Sequence, residues 1–286
     1  MRLLKQLMSI SLAIYAVKIL YTWWEKSGPL LLGRELSAEM VAFFAFALLY
    51  AKKLMLISDA VTTVNLPVLS EKFETDLEEF KSIFVANFNK IYVFILGAGF
   101  SAIFWSREIF YVLVGGDKYN PALPLVLPLM FAFIFYSFIN IVESSVLIPA
   151  RRIFAMVASF GSMLICAVVG FFLTHRLIDP MISMAYFLAL GGAVGLAIMA
   201  LTSRKKLQFT FLDWRHILLF VQVAAISLPY MVENILIKGL LFAVFGFLYW
   251  QAVRLAGFMT KEQLISLLKR SYSFIKRLKP SLLRNS

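Results

Sequence analysis

Three charged residues, Lys52, Lys53 and Asp59, lie inside a long apolar stretch, residues 37–74, of this 286-residue chain. The stretch is long enough to cross a lipid bilayer, for which about 20 apolar residues are needed. A charge at membrane depth costs a few kcal/mol or more, so such side chains usually face the interior of a helix bundle or a water-filled cavity. Ammonium groups in a cavity bind anionic ligands as point charges. This stretch is therefore the first candidate for a functional site.

Helical periodicity places the polar residues of this stretch on one face. Lys52, Asp59 and Thr63 share the face, and Lys53 and Ser58 flank it. One interpretation is the wall of a cavity that receives an anionic or sugar-bearing substrate. The alternative is structural: a contact between lysine and aspartate, or lysines that snorkel to the membrane surface, would hold neighbouring helices together. Polar residues of other apolar segments that are candidates for the same cavity are Lys18, Asn87 and Glu143.

Signatures of an enzyme are missing from the sequence. The two histidines, His175 and His216, fall at the ends of apolar segments, and no metal-binding, P-loop or nucleophile-elbow motif is present. Asp59 and Glu143 are the carboxylates that lie clearly inside apolar segments, and nothing pairs them with a nucleophile. We therefore expect no catalytic residue, no metal site, no cofactor and no enzymatic activity.

The composition is that of a membrane protein. Apolar residues make up 61% of the chain and charged residues 15%, whereas a water-soluble domain is about 45–50% apolar and about 25% charged. Because the apolar runs have the length of membrane-spanning helices, we predict an all-α polytopic membrane protein. The net charge of +12 predicts contact with anionic membrane lipids and no binding of nucleic acid.

Eight apolar runs predict eight membrane-spanning helices. Gly28-Pro29 is expected to bend or break the first, and Pro67 to end the second. Residues 70–81 carry phenylalanine and leucine at helical spacing among charged residues, which predicts either a short amphipathic helix in the membrane interface or an ordinary solvated loop helix. The runs cover approximately residues 7–33, 38–66, 86–114, 122–148, 153–173, 181–201, 217–237 and 238–255.

Lysine and arginine residues are unevenly divided between the two sets of predicted loops. Most of them lie on the side of both termini, which predicts a multi-pass protein of the cell membrane with both termini in the cytoplasm. Four regions follow: a six-helix lobe at 1–203, a cytoplasmic amphipathic linker at 204–216, two additional membrane helices at 217–257, and a basic amphipathic cytoplasmic tail at 258–286. The tail is expected to rest on anionic lipid.

Several motifs in this order resemble one group of transporters. They are LPVLS at residues 66–70, the pattern G-x-x-Y-x-x-A from Gly116 to Ala122, PARR at residues 149–152 after the fourth run, and a Gly-Gly-Ala motif in the sixth run. With them, the chain resembles the C-terminal half of the polysaccharide and lipid-linked oligosaccharide flippases of the multidrug/oligosaccharidyl-lipid/polysaccharide (MOP) exporter superfamily.

The resemblance implies a fold and a function. Members resemble two six-helix lobes around a central cavity, often followed by two extra helices, and move polyprenyl- or dolichyl-diphosphate-linked sugars across the membrane by alternating access. This chain would then be one MATE-like lobe of six helices plus the two extra helices. Without the first lobe, it would be a truncated product or a half-transporter whose second lobe is another copy or a separate chain.

The candidate residues take roles under this interpretation. Lys18, Lys52 and Lys53 would offset the charge of a lipid diphosphate. Asp59 or Glu143 would take part in ion coupling. Hydrogen bonds to the sugar would come from Thr62, Thr63, Asn65 and Asn87.

Two other functions fit the same sequence. One is a drug or metabolite antiporter of the same superfamily. The other is a membrane scaffold that does not transport and binds glycan-assembly enzymes through its basic tail. Lysines that face a cavity favour transport, whereas lysines buried against neighbouring helices favour the scaffold.

Overall fold

The computed structural model describes residues 2–227 and 232–258, and these residues fold into α-helices without a β-strand. The predicted all-α fold is confirmed. Residues 259–286, which form nearly all of the predicted tail, and the side chain of Asn65 lie outside the described part of the chain. The helices are α1 (Arg2–Leu32), α2 (Ala38–Lys52), α3 (Met55–Thr75), α4 (Leu77–Phe104), α5 (Ser106–Val114), α6 (Leu123–Val142), α7 (Ile153–Thr174), α8 (Pro180–Lys206), α9 (Trp214–Ser227) and α10 (Ile235–Leu255), with a 3-10 turn at Asp117–Ala122 and a π-helical turn at Glu143–Leu147.

Six segments of the described chain are long and apolar enough to cross a membrane, so the protein is a polytopic membrane protein. They correspond to the predicted second to sixth and eighth runs. α1 and α9, with 31 and 14 residues, correspond to the first and seventh runs and are not among the six. The count of eight spans therefore stays a prediction. The six segments are Ala38–Thr63, Leu77–Phe104, Asp117–Leu147, Ile153–Thr174, Pro180–Lys205 and Ile235–Leu255.

Residues 70–81 form neither of the two structures predicted for them. They are the end of α3 and the beginning of α4, two long helices separated by the single residue Asp76. Asp76 has an extended backbone, with φ −150° and ψ 96°, and its carboxylate accepts hydrogen bonds from the N–H groups of Glu78 and Glu79. This side-chain cap explains why α4 begins here, nine residues before the apolar run from which the third span was predicted.

Neither proline breaks its helix. α1 continues past Pro29, where a bend or a break was predicted, and α3 continues past Pro67, which was predicted to end the second span. A proline removes one backbone hydrogen bond, but its fixed φ is compatible with a helix, so packing on both sides can retain it. The second span is instead interrupted at Lys53 and Leu54, between α2 and α3, and the third at Trp105, between α4 and α5.

Glycines allow α7 and α8 to pack closely. A Cβ atom on Gly191 of α8 would lie 2.7 Å from the backbone oxygen of Met163 on α7. In the same interface the Ser159 hydroxyl donates a hydrogen bond to the carbonyl of Gly195 at 2.9 Å. Small residues of this kind let helices approach within a membrane, where van der Waals packing drives helix association. α8 therefore packs against α7 on one side and α6 on another, and α6, which also contacts α2, α3 and α4, forms the centre of the bundle.

We expect Gly191→Ala to lower the free energy of unfolding by about 2 kcal/mol, because the added methyl group meets backbone that moves only if α7 and α8 separate. Gly161→Ala, on α7, is the matched control. A Cβ there meets nothing within 4 Å, so this change should be neutral or slightly stabilising. Thermal unfolding of the purified protein in detergent measures both variants. Equal effects would contradict the close approach.

The segment before α9 is bound to the rest of the bundle through Asp213 and His216. Burial alone would raise the pKa of Asp213, but hydrogen bonds from Arg215 and His216 outweigh it and lower the pKa to about 2. The Nε2 atom of His216 also lies 3.0 Å from the side-chain oxygen of Asn89 on α4. The backbone carbonyl of His216 accepts a hydrogen bond from the Tyr92 hydroxyl at 2.7 Å. These contacts hold the start of α9 against α4.

Candidate functional site

A row of polar and aromatic side chains, which we call the seam, runs between three helical segments. Each segment contributes three residues spaced three or four positions apart, the spacing that lines up side chains on one helix face. α1 runs antiparallel to the other two segments. Glu25, the last seam residue of α1, therefore pairs with Lys52, the first seam residue of α2 and α3. The seam consists of Lys18, Tyr21 and Glu25 from α1; Lys52, Met55 and Asp59 from α2 and α3; and Tyr136, Asn140 and Glu143 from α6 and the π turn.

The deep end of the seam is an ion pair between Glu25 and Lys52. The Lys52 ammonium lies 2.7 and 2.8 Å from the two carboxylate oxygens of Glu25, and Glu25 is 5% exposed. Lys52 is the last residue of α2, where the helix dipole also favours a cation. The 15 residues of α2 extend about 22 Å, so this pair lies well inside a hydrocarbon layer about 30 Å thick.

Aromatic rings form the middle of the seam. The rings of Tyr21 and Tyr136 stack with centroids 4.4 Å apart, and the Tyr21 hydroxyl donates to the sulfur of Met55 at 3.3 Å. Trp24 packs behind them, with its ring centroid 5.8 Å from Tyr136 and 5.7 Å from Phe133. Offset and edge contacts of this kind rigidify a core and leave the hydroxyl edges available for polar contacts.

The other end of the seam is formed by carboxylates. The Asn140 amide donates to Asp59 at 2.9 Å and to the Ser58 hydroxyl at 3.3 Å. Glu143 is the first residue of the π turn, a local irregularity that is frequent at functional sites. Lys18 lies close enough to Glu143 for their charges to interact. This end therefore holds two carboxylates, an amide and an ammonium group within two helical turns.

One edge of the seam is not covered by the described chain. Lys18, Lys53, Asp59 and Thr63 are exposed, and the side chain of Lys52 is 36% exposed. Because charged side chains in a membrane face other protein or water rather than lipid, this edge must border a cavity or another membrane-embedded partner.

The structure brings together half of the residues predicted for the site. Lys18, Lys52, Asp59 and Glu143 belong to the seam. Other predicted residues have different positions. Lys53 lies beside the seam at the break between α2 and α3, where it is exposed and forms no ion pair with the described residues. Thr63 is one turn beyond Asp59 and donates a hydrogen bond to the Asp59 carbonyl at 2.8 Å. Asn87 is half-buried on α4, and its side chain makes no hydrogen bond with the described residues.

Five members of the seam were missed from the sequence: Tyr21, Glu25, Met55, Tyr136 and Asn140. Glu25 lies next to two tryptophans near the end of the first apolar run, and a charged residue at such a position is not unusual. The signal that would have found it is spacing, because Lys18, Tyr21 and Glu25 recur on one helix face. The asparagine and tyrosine of α6 carry no such signal, since uncharged polar residues are tolerated in membrane helices.

Comparison with known proteins supports a role in polysaccharide synthesis. A family model described as polysaccharide biosynthesis protein matches residues 1–124, which include α1 to α5 and hence six of the nine seam residues. No curated protein and no solved structure matches the chain. Through its first 124 residues, the chain is similar to the family described as polysaccharide biosynthesis protein.

Proposed function

We propose that the chain is one lobe of a flippase that moves a lipid-linked oligosaccharide across the cell membrane for polysaccharide synthesis, with both termini in the cytoplasm. The lipid carrier is a polyprenyl or dolichyl diphosphate. The family supports a transporter of polysaccharide synthesis rather than a catalytic enzyme. The single observation that carries the proposal is the seam, a polar strip inside a membrane bundle with one open edge.

The open edge offers cations to a diphosphate. Lys52 already neutralises Glu25, so its remaining attraction for an anion is reduced. Lys53 and Lys18 are exposed beside it, which makes Lys53 the first group that an incoming diphosphate would meet. This changes the roles expected from sequence: Lys53 and Lys18 bind the anion, and Lys52 holds α1 against α2.

The far end of the seam suits a sugar. The rings of Tyr21 and Tyr136 stack on each other and Tyr136 is 6% exposed, so they support this end rather than contact a sugar. Asp59 and Asn140 provide acceptors for sugar hydroxyls, because the amide donates to Asp59 and Ser58 and its oxygen accepts no hydrogen bond from the described residues. Glu143, next to Lys18, is placed for ion coupling.

A second lobe is needed to complete the cavity. Exposed charges along the seam would otherwise meet hydrocarbon, at a cost of a few kcal/mol each. The polar face of that lobe, whichever chain supplies it, would cover the open edge.

Lys53→Gln tests the role of the exposed cation. We expect it to reduce complementation of a strain that lacks its own flippase by about tenfold, because a charged contact to the diphosphate is lost. Lys53→Arg keeps the charge and should retain most of the activity. Lys26→Gln is the matched control and should behave as wild type, because Lys26 is an exposed lysine outside the seam, 3.8 Å from Glu25.

Equal membrane levels of all three variants, measured by immunoblot, make the comparison valid. Wild-type complementation by Lys53→Gln would contradict the proposed anion site. It would favour the scaffold function, for which the internal neutralisation of Lys52 by Glu25 is the supporting observation.

A further inference from the structure

A cavity of about 520 Å³ opens between the beginning of α7 and the end of α8. Three cations line it: Arg151 and Arg152, which precede α7, and Lys205, near the end of α8. Two membrane-spanning segments, Ile153–Thr174 and Pro180–Lys205, begin and end here. The cavity therefore lies at the boundary between hydrocarbon and water, at the end of the bundle that the charge pattern assigns to the cytoplasm.

The three cations have no partner of opposite charge in the described part of the chain. Among residues 2–227 and 232–258, none of them forms an ion pair with a carboxylate or a side-chain hydrogen bond. Uncompensated cations that converge on one cavity attract a ligand with negative charge.

The beginning of α7 adds to this attraction. Arg152 occupies the N-cap position without a side-chain hydrogen bond, and the first turn of α7 contains no acidic residue. The positive end of the helix dipole is therefore left for an external anion. Arg151 has φ 53°, a left-handed conformation uncommon for a residue other than glycine, and such strained residues cluster at ligand-binding sites.

The lower part of the cavity is apolar. Phe154 is 86% exposed, and Leu201 is also exposed, although both lie within membrane-spanning segments. Exposed apolar side chains at this depth contact lipid chains rather than water. The cavity thus combines a cationic rim with a hydrocarbon-facing floor, which matches a ligand with a phosphate at one end and acyl chains at the other.

We propose that this cavity binds an anionic phospholipid of the surrounding bilayer, with its phosphate between Arg151, Arg152 and Lys205 and an acyl chain against Phe154 and Leu201. None of the lining residues belongs to the seam, so the site is separate from the proposed transport path. The inference holds whether or not the chain transports, and the lipid would attach α7 and α8 to the membrane surface.

Native mass spectrometry of the full chain, released from detergent micelles, tests the site. The probes are phosphatidylglycerol, phosphatidylcholine and inorganic phosphate, each titrated separately. We expect wild type to retain phosphatidylglycerol in preference to phosphatidylcholine. Arg152→Gln with Lys205→Gln should weaken retention of phosphatidylglycerol about thirtyfold, because two cations near the head group are lost. The matched control is Arg204→Gln with Arg254→Gln, which removes two exposed cations outside the cavity.

Three further arms separate the lipid from other anions. Ala158→Phe keeps all three cations but fills the floor, so it should abolish binding of the phospholipid. Excess inorganic phosphate should not displace the lipid, and a polyprenyl diphosphate, which the seam would bind, should be retained beside phosphatidylglycerol without displacing it. Equal losses in the two double variants, full binding by Ala158→Phe, or displacement by phosphate or by the polyprenyl diphosphate would each overturn the proposal. Unchanged thermal unfolding of the lipid-free variants confirms that they fold.

Discussion

Lys52→Met is expected to lower the free energy of unfolding by about 3 kcal/mol, which makes it one of the most destabilising single changes in the chain. The substitution leaves the Glu25 carboxylate, 5% exposed, without the ammonium group that now lies 2.7 Å away. An unpaired charge in a low-dielectric site costs more than the pair contributes. The value is at the low end of the range for buried pairs because the side chain of Lys52 is 36% exposed and water can partly replace it.

Glu25→Gln combined with Lys52→Met should recover most of this loss. The double variant removes both charges, and a neutral amide is far less costly to bury than a carboxylate. Lys26→Met serves as the control, since its ammonium lies 3.8 Å from Glu25 and its side chain is 59% exposed. Thermal unfolding in detergent of wild type, Lys52→Met, Glu25→Gln and the double variant completes a double-mutant cycle. A double variant no more stable than Lys52→Met alone would show that the pair is not what stabilises this end of the seam.

The apolar runs predicted most of the fold because length and composition determine which segments can cross a bilayer. Each of the six spanning segments overlaps a predicted run, although Leu77–Phe104 begins nine residues before its run. The breaks were not predictable in the same way. Pro67 is a strong local signal for the end of a helix, but it lies within α3. The break at Lys53 and Leu54 contains no glycine or proline that would predict it. Helix continuity depends on tertiary packing, which a single sequence does not reveal.

The candidate site was predictable in part for a related reason. Lys52 and Asp59 were found because a charge inside an apolar run costs free energy in a membrane, which makes it a signal for a functional site. Their partners, Glu25 and Asn140, lie far away in sequence, on α1 and α6. From the sequence, a contact between lysine and aspartate was the structural alternative to a cavity wall. The structure instead pairs each residue with a different helix, so that three segments are held together by one row of contacts.

A second buried charge connects α10 to the bundle. Lys238 is fully buried, its ammonium lies 2.9 and 2.8 Å from the carboxylate oxygens of Glu108 on α5, and the rings of Phe104 and Trp105 lie 5.7 Å from it. α10 has little other burial, since its outer face is exposed along most of its length. Lys238 is the first residue of the eighth predicted run. In the structure it lies in the first turn of α10, which begins at Ile235, and it fixes that helix to the described bundle.

Glu108→Gln should therefore release α10 more than any other part of the protein. We expect a loss of about 3 kcal/mol in the free energy of unfolding, because a fully buried ammonium keeps only a neutral amide and two aromatic faces as partners. Hydrogen exchange should rise along Ile235–Leu255, while α7 and α8, which do not depend on this pair, stay protected. Glu233→Gln is the matched control: it also breaks an ion pair, 2.9 Å from Arg107, but Glu233 is 79% exposed, so little change is expected. If Glu108→Gln leaves α10 as protected as the control does, aromatic packing at Phe242 rather than the buried charge holds α10 in place.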